Sequence, residues 1–216
     1  MLSVLDDDIE INDLQYNDNE NSIVKQHGGV FTWQPDMWEW ENGIKDSYES
    51  TYTQIMGVNA VLDGVDDVEG SVEEKEVVKA QALGLRAYYY FMLVNLYGEP
   101  YNYNKKALGV PLKLTSALLE NGITRNTVEE VYTRIVMDLE QASALFGKYS
   151  KRRGDFRING TATDILLSRV YLYMEEWDRA IEAANRAIKR AEGLTDYTTV
   201  EAGNQPLPPS VAPPSI

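Results

Sequence analysis

The chain contains no cysteine and a single histidine, His27, among its 216 residues. Disulfides, thiolate metal sites and a cysteine nucleophile are thereby excluded, as are histidine-rich metal centres and most Ser-His triads. Positive charge is scarce: 20 Lys and Arg stand against 34 Asp and Glu, a formal net charge of −14. Such a chain repels phosphate backbones and anionic membrane surfaces, so nucleic acid is not an expected partner. No charge-free apolar run reaches the length of about 18 residues that a membrane helix needs. The nearest, Ala80 to Pro100, is interrupted by Arg86 and Asn95. Phosphate loops are missing too, because Gly28-Gly29 lacks the Walker and dinucleotide patterns. Nothing in the order of Asp and Glu singles out the fixed carboxylate pair of a glycosidase.

What the chain does have is apolar residues, 44% of the total, enough for a core in one large or two small domains. They concentrate in AQALGLRAYYYFMLVNLYGEP, where apolar positions cover every side of a helical projection. A helix apolar all round has to be enclosed by other elements. Ser71 with Glu74 three residues on forms a capping-box pattern, and Gly98 with Pro100 supplies the stop. The spacing therefore predicts a buried helix of about 26 residues, roughly 40 Å long.

Shorter helices surround it. Ile44, Tyr48, Tyr52, Ile55, Asn59 and Leu62 have the 3-4 spacing of an amphipathic helix ending near Gly64, with Asn59 as an inward amide. Thr127 and Glu130 repeat the capping box ahead of a stripe from Val128 to Phe146 that Gly147 stops. Leu167, Ser168, Tyr171, Ala180 and Ala187 fall at the positions of a tetratricopeptide unit, with Trp177 in its turn and Ala180, Ala184 and Ala187 allowing close approach. The fold class read from these patterns is all-α, with tetratricopeptide-like hairpins round a long buried helix. Residues 1–35 read as an irregular polar segment, 36–195 as the helical domain, and 196–216, with five prolines, as an extended tail.

The long helix reading LRAYYYFMLVNLYGEPY, followed by a tyrosine-rich loop and Gly109-Val110-Pro111-Leu112, resembles the central signature of the SusD/RagB-like proteins. The helix opened by Arg125-Asn126-Thr127-Val128-Glu129-Glu130-Val131-Tyr132 and the hairpin from Ala162 to Ala187 fit the same family, in the same order. The resemblance covers about residues 5 to 195 and implies a glycan-binding outer-membrane lipoprotein, with a TonB-dependent SusC-like transporter as partner and no cofactor. It also implies a leader, a lipidated cysteine, a first helix and a larger second half that this sequence does not include.

Three of the four tryptophans, Trp33, Trp38 and Trp40, fall within eight residues. An indole offers a flat apolar face and a polar edge, the duality of a sugar ring with its C–H face and hydroxyl rim. The competing reading is that these rings pack on the neighbouring helix, and Trp33, lying ahead of that helix, is the first choice for exposure. Asp6, Asp7 and Asp8 lack EF-hand spacing and read as a solvated run, although the resemblance places Asp7 and Asp8 near a glycan surface. Tyr101 and Tyr103, in the loop YNYNKK, are better placed for ligand than Tyr88, Tyr89 and Tyr90, because loops expose their side chains. Arg86 cannot deprotonate and is expected to hydrogen-bond between helices and stack on tyrosine.

The expected function is non-catalytic capture of an oligosaccharide or other nutrient for delivery to the transporter. The alternative is a tetratricopeptide adaptor that binds protein partners.

Overall fold

The computed structural model describes residues 47–118, 122–149 and 157–191. Trp33, Trp38, Trp40, Asp7 and Asp8 lie outside them. The chain divides into two compact units at Ser50 and Thr51, and all but residues 47–50 of the described chain belong to the second.

Among the described residues five helices succeed one another: α1 Ser47–Gly64, α2 Val72–Tyr97, α3 Val128–Lys148, α4 Gly160–Tyr173 and α5 Trp177–Arg190. The described residues contain no strand, only an isolated bridge between Leu108 and Thr127. The fold is all-α and tetratricopeptide-like.

Local chemistry starts the two longest helices. Ser71 accepts from the Glu74 amide while the Glu74 carboxylate accepts from the Ser71 N–H, and Thr127 with Glu130 repeats this reciprocal pair. Each box satisfies two amides that the helix itself leaves open. The first helix so capped, α2, runs 26 residues, as predicted. None of its residues from Lys79 to Val94 is exposed, and Ala80, Ala87, Tyr90 and Val94 are wholly buried.

α2 and α3 are antiparallel, since their contacts step in opposite directions: Glu76 with Lys148, Arg86 with Asp138, Asn95 with Tyr132. Ala80, Leu83 and Ala142 form a core cluster between them, against which Leu62 of α1 and Leu145 and Phe146 of α3 pack. The α4–α5 hairpin turns at Met174–Glu176, where Glu175 takes the left-handed conformation (φ 58°). Its inner face differs from the expected one: Ala180, Ala183 and Ala187 are buried, whereas Ala184 is only half-buried, because the face follows the i, i+3, i+7 row.

Two ionic groups lock these layers. Arg86, 6% exposed, gives Nε to Asp138 Oδ2 at 2.7 Å, Nη2 to Oδ1 at 2.9 Å and Nη1 to Asn59 Oδ1 at 3.0 Å. The expected interhelical hydrogen bonding is present; a carboxylate and an amide, not tyrosine rings, hold the guanidinium. Arg134, one turn before Asp138, adds a second cation at 2.6 Å. Buried Asp164 on α4 accepts from Ser143 of α3 at 2.6 Å and pairs with Arg186 and Arg190 of α5. Buried carboxylates need such partners, and these two staple α3 to its neighbours on both sides.

Candidate functional site

The connection between α2 and α3, residues 98–127, leaves the helical layers, and much of its described part is tied down. Its entry is close-packed: a Cβ on Gly98 would stand 2.6 Å from the Val94 carbonyl oxygen, so only glycine fits there. Gly109 then donates its N–H to the Asn126 carbonyl, and the Arg125 guanidinium donates to the carbonyls of Gly109 at 2.6 Å, Leu108 at 2.8 Å and Tyr97 at 3.2 Å.

Beyond Gly109 the backbone crosses the helices as a strap. The Tyr52 hydroxyl donates to the Pro111 carbonyl at 2.7 Å, and the Asn126 side chain accepts the Leu112 N–H at 2.9 Å. The Tyr90 hydroxyl both donates to the Lys113 carbonyl and accepts from the Lys113 N–H, each at 2.7 Å. Asn59, wholly buried, donates to the carbonyls of Lys113 and Thr115. Asp63 closes the strap by accepting from the Ser116 N–H and hydroxyl, and those two bonds hold its carboxyl below the usual range. Burial pushes the Tyr90 phenol up, so it stays a neutral two-way connector at physiological pH.

The segment YNYNKK separates its two tyrosines. Tyr101 turns inward, 8% exposed, with its ring 4.7 Å from that of Tyr132 and the Lys105 ammonium 4.6 Å above it. The expectation that loop placement exposes both rings is corrected at Tyr101: the pocket beside Tyr132 buries it. Tyr103, two residues on, is exposed. A turn at Pro100, whose carbonyl accepts from the amides of Tyr103 and Asn104, sends the two rings apart.

Around Tyr101 lies an aromatic cluster that reaches the surface. Phe91 meets Tyr132 edge-on at 6.2 Å and Tyr173 edge-on at 5.1 Å. Desolvation inside it pushes the Tyr132 phenol up to about 12. Asn102 donates to the Tyr173 carbonyl at 3.4 Å, tying the loop to the end of α4. Sequence reasoning missed Tyr173 altogether and read Trp177 only as a turn residue, yet both are exposed. The available signal was their position either side of the hairpin turn, where the inward row of each helix has run out.

Rings backed by packing, with amides and carboxylates at their rims, can stack on and hydrogen-bond a polar, flat-faced ligand. Among the described residues no group of three His, Asp or Glu is placed to hold a metal ion, and no described helix is long and apolar enough to cross a membrane.

Comparison with known proteins agrees with this architecture. Residues 6–172 match the SusD-like family described as starch-binding and associating with the outer membrane. A curated relative, SusD-like protein P25 of Formosa agariphila, is 22% identical over 149 residues, 68% of this chain and 27% of that protein. The crystal structure of a SusD-like carbohydrate-binding protein from Bacteroides vulgatus superposes with a TM-score of 0.64 at 26% identity, covering 70% of this chain and 32% of the other. A laminarin-binding SusD-like protein shares the fold at a TM-score of 0.59 and 23% identity, over 76% of this chain and 33% of its own. The chain thus spans about a third of the length of these relatives. With the match running through more than three quarters of its residues, the chain belongs to the SusD-like family.

Proposed function

We propose that this chain is the N-terminal helical part of a non-catalytic, surface-exposed outer-membrane lipoprotein that captures an oligosaccharide or similar nutrient and passes it to a SusC-like TonB-dependent transporter. The match over residues 6–172 to a family described as starch-binding and outer-membrane-associated carries the reading. The helices act as a rigid frame, and ligand contacts come from the segments between and before them: Trp33, Trp38, Trp40, Asp7 and Asp8 in the first stretch, Tyr103 on the pinned connection, and Tyr101 beneath it as support. Sugar rings stack on the aromatic faces while amides and carboxylates take the hydroxyls. In this reading residues 1–35 form an irregular polar segment, 36–195 the helical domain whose early part includes Trp38 and Trp40, and 196–216 a Pro-rich tail.

Affinity electrophoresis through gels containing laminarin, starch or xylan tests this. Retardation by a glycan, lost on Trp33→Ala, Trp38→Ala or Trp40→Ala and unaccompanied by released reducing sugar, is the expected result. Indifference to every glycan, together with retention of a protein partner in pull-downs, would replace capture by the adaptor reading.

A further inference from the structure

The edge formed by the α4–α5 turn and the YNYNKK loop carries three exposed aromatic rings, two from the turn and one from the loop. Tyr173 is the last residue of α4, Trp177 the first of α5, and Tyr103 sits one residue beyond Asn102, whose amide is bonded to the Tyr173 carbonyl. Their exposures are 52%, 58% and 81%. We infer that this edge is a carbohydrate-contact surface, built from residues other than those of the Trp33–Trp40 stretch, and that its ligand is a neutral glycan. The inference rests on the capture reading and adds to it a location and a ligand class.

Three observations support it. The first is preorganisation: the Tyr173 ring is backed edge-on by Phe91, which is itself buried against Tyr132. A ring fixed from behind loses little freedom when a sugar stacks on its open face, so more of the contact energy appears as affinity. The turn is equally fixed, with the amides of Met174, Glu175 and Glu176 all bonded to carbonyls of the last turn of α4.

Polar chemistry comes second. Beside the rings lie the amides of Asn102 and Asn104 and the carboxylates of Glu175, Glu176 and Asp178, all exposed. Amides donate to and accept from hydroxyls, and carboxylates accept from them. The third observation is charge. Of the cations on these two segments, Lys105 lies over the Tyr101 ring and Arg179 lies 4.3 Å over that of Tyr171, while Lys106 is exposed. Glu175, Glu176 and Asp178 balance Lys105, Lys106 and Arg179, so the edge has no surplus of positive charge to hold uronate or sulfate groups, and on a chain of net charge −14 uncharged sugars are the fitting class.

Laminarin, a neutral glucan, and alginate, a polyuronate, are the probes, used in affinity gels with the whole 216-residue chain. Laminarin is expected to retard the chain and alginate to leave it unretarded. Trp177→Ala and Tyr173→Ala should each weaken retention by laminarin about fivefold to tenfold. Tyr173→Phe should preserve it, since stacking needs the ring and not the hydroxyl. Trp177 is exposed and outside the core, so its variant reports on binding even if Tyr173→Ala unfolds. Unchanged retention in both alanine variants, with loss on Trp33→Ala, overturns this edge and leaves the capture reading standing. Retardation by alginate alone overturns the neutral class. A chain that neither probe nor starch nor xylan retards overturns both the edge and the capture reading.

Discussion

Arg86 of α2 and Asp138 of α3 meet in a two-point ion pair with both side chains almost sealed from water, at 7% and 0% side-chain exposure. Fifty-two residues apart in sequence, they fix the register of the two longest helices at their middle. Removing one partner of such a pair leaves an uncompensated buried charge, which costs more than the intact pair contributes. Asp138→Ala strands both Arg86 and Arg134, and a loss of about 3–5 kcal/mol in urea denaturation is expected. Replacing Arg86 by Met and Asp138 by Leu together should cost clearly less than Asp138→Ala alone. A double variant that is as unstable as the single one would show that the pair itself, and not the orphaned charge, carries the stability.

The strap depends on one hydroxyl in the same way. Tyr90 is wholly buried, and its oxygen engages both the N–H and the carbonyl of Lys113. Tyr90→Phe leaves the Lys113 N–H without its partner, whereas the Lys113 carbonyl keeps Asn59. A loss of about 1–3 kcal/mol is expected from one unsatisfied buried group. Amide exchange locates it: the Lys113 N–H should exchange faster in the variant while amides in the middle of α3 keep their protection. Uniform acceleration throughout would mean that the hydroxyl supports the whole fold and not the strap.

How legible each of these features is in the sequence depends on how far apart its parts lie. Both capping boxes join residues three apart, so Ser71 with Glu74 and Thr127 with Glu130 announce the helix starts without any knowledge of the fold. The buried status of Asn59 and the need of Arg86 for partners are legible from helical periodicity and from a lone charge in an apolar run. That the partner is Asp138 is not, because sequence spacing does not rank one acidic residue of α3 above another. Tyr101 and Tyr103 are hard to tell apart for a similar reason. They stand two residues apart in one polar loop, and only the pocket beside Tyr132, supplied by another helix, separates buried from exposed. Tyr173 and Trp177 are obscured by belonging to a regular hairpin, whose pattern assigns residues to the inner row and is silent about its ends.

Gly98 shows a steric limit that periodicity cannot supply. Its backbone angles (φ −111°, ψ 173°) suit any residue, yet a Cβ there would stand 2.6 Å from the Val94 carbonyl oxygen and 3.3 Å from the Val94 side chain. The obstructing atom is backbone of the last helical turn and cannot swing aside. Gly98→Ala should therefore destabilise by about 1–3 kcal/mol despite the smaller chain entropy of alanine in the unfolded state. An unchanged or higher melting temperature would mean that the end of α2 yields.

Acid stability should register the contact that closes the far end of the α2–α3 pair. Glu76 accepts from the Lys148 ammonium at 2.7 Å and the Tyr149 hydroxyl at 2.5 Å, and these two bonds hold its carboxyl below the ordinary value of 4.5. A carboxyl depressed in the folded state contributes stability that is complete above the unfolded value and disappears as pH falls through the folded one. Tyr149 titrates in the opposite sense: the bond to Glu76 raises its phenol from 10 to about 12, so its contribution is complete below 10 and lost as pH rises through about 12. Melting temperatures of Glu76→Gln should therefore fall less steeply than those of the parent chain between about pH 5 and pH 3. Above pH 10 the variant should ionise one tyrosine earlier, as the absorbance at the phenolate band would report. If the two chains kept the same slope in acid, Glu76 would be titrating as though already in water and the latch between α2 and Tyr149 would not form in solution.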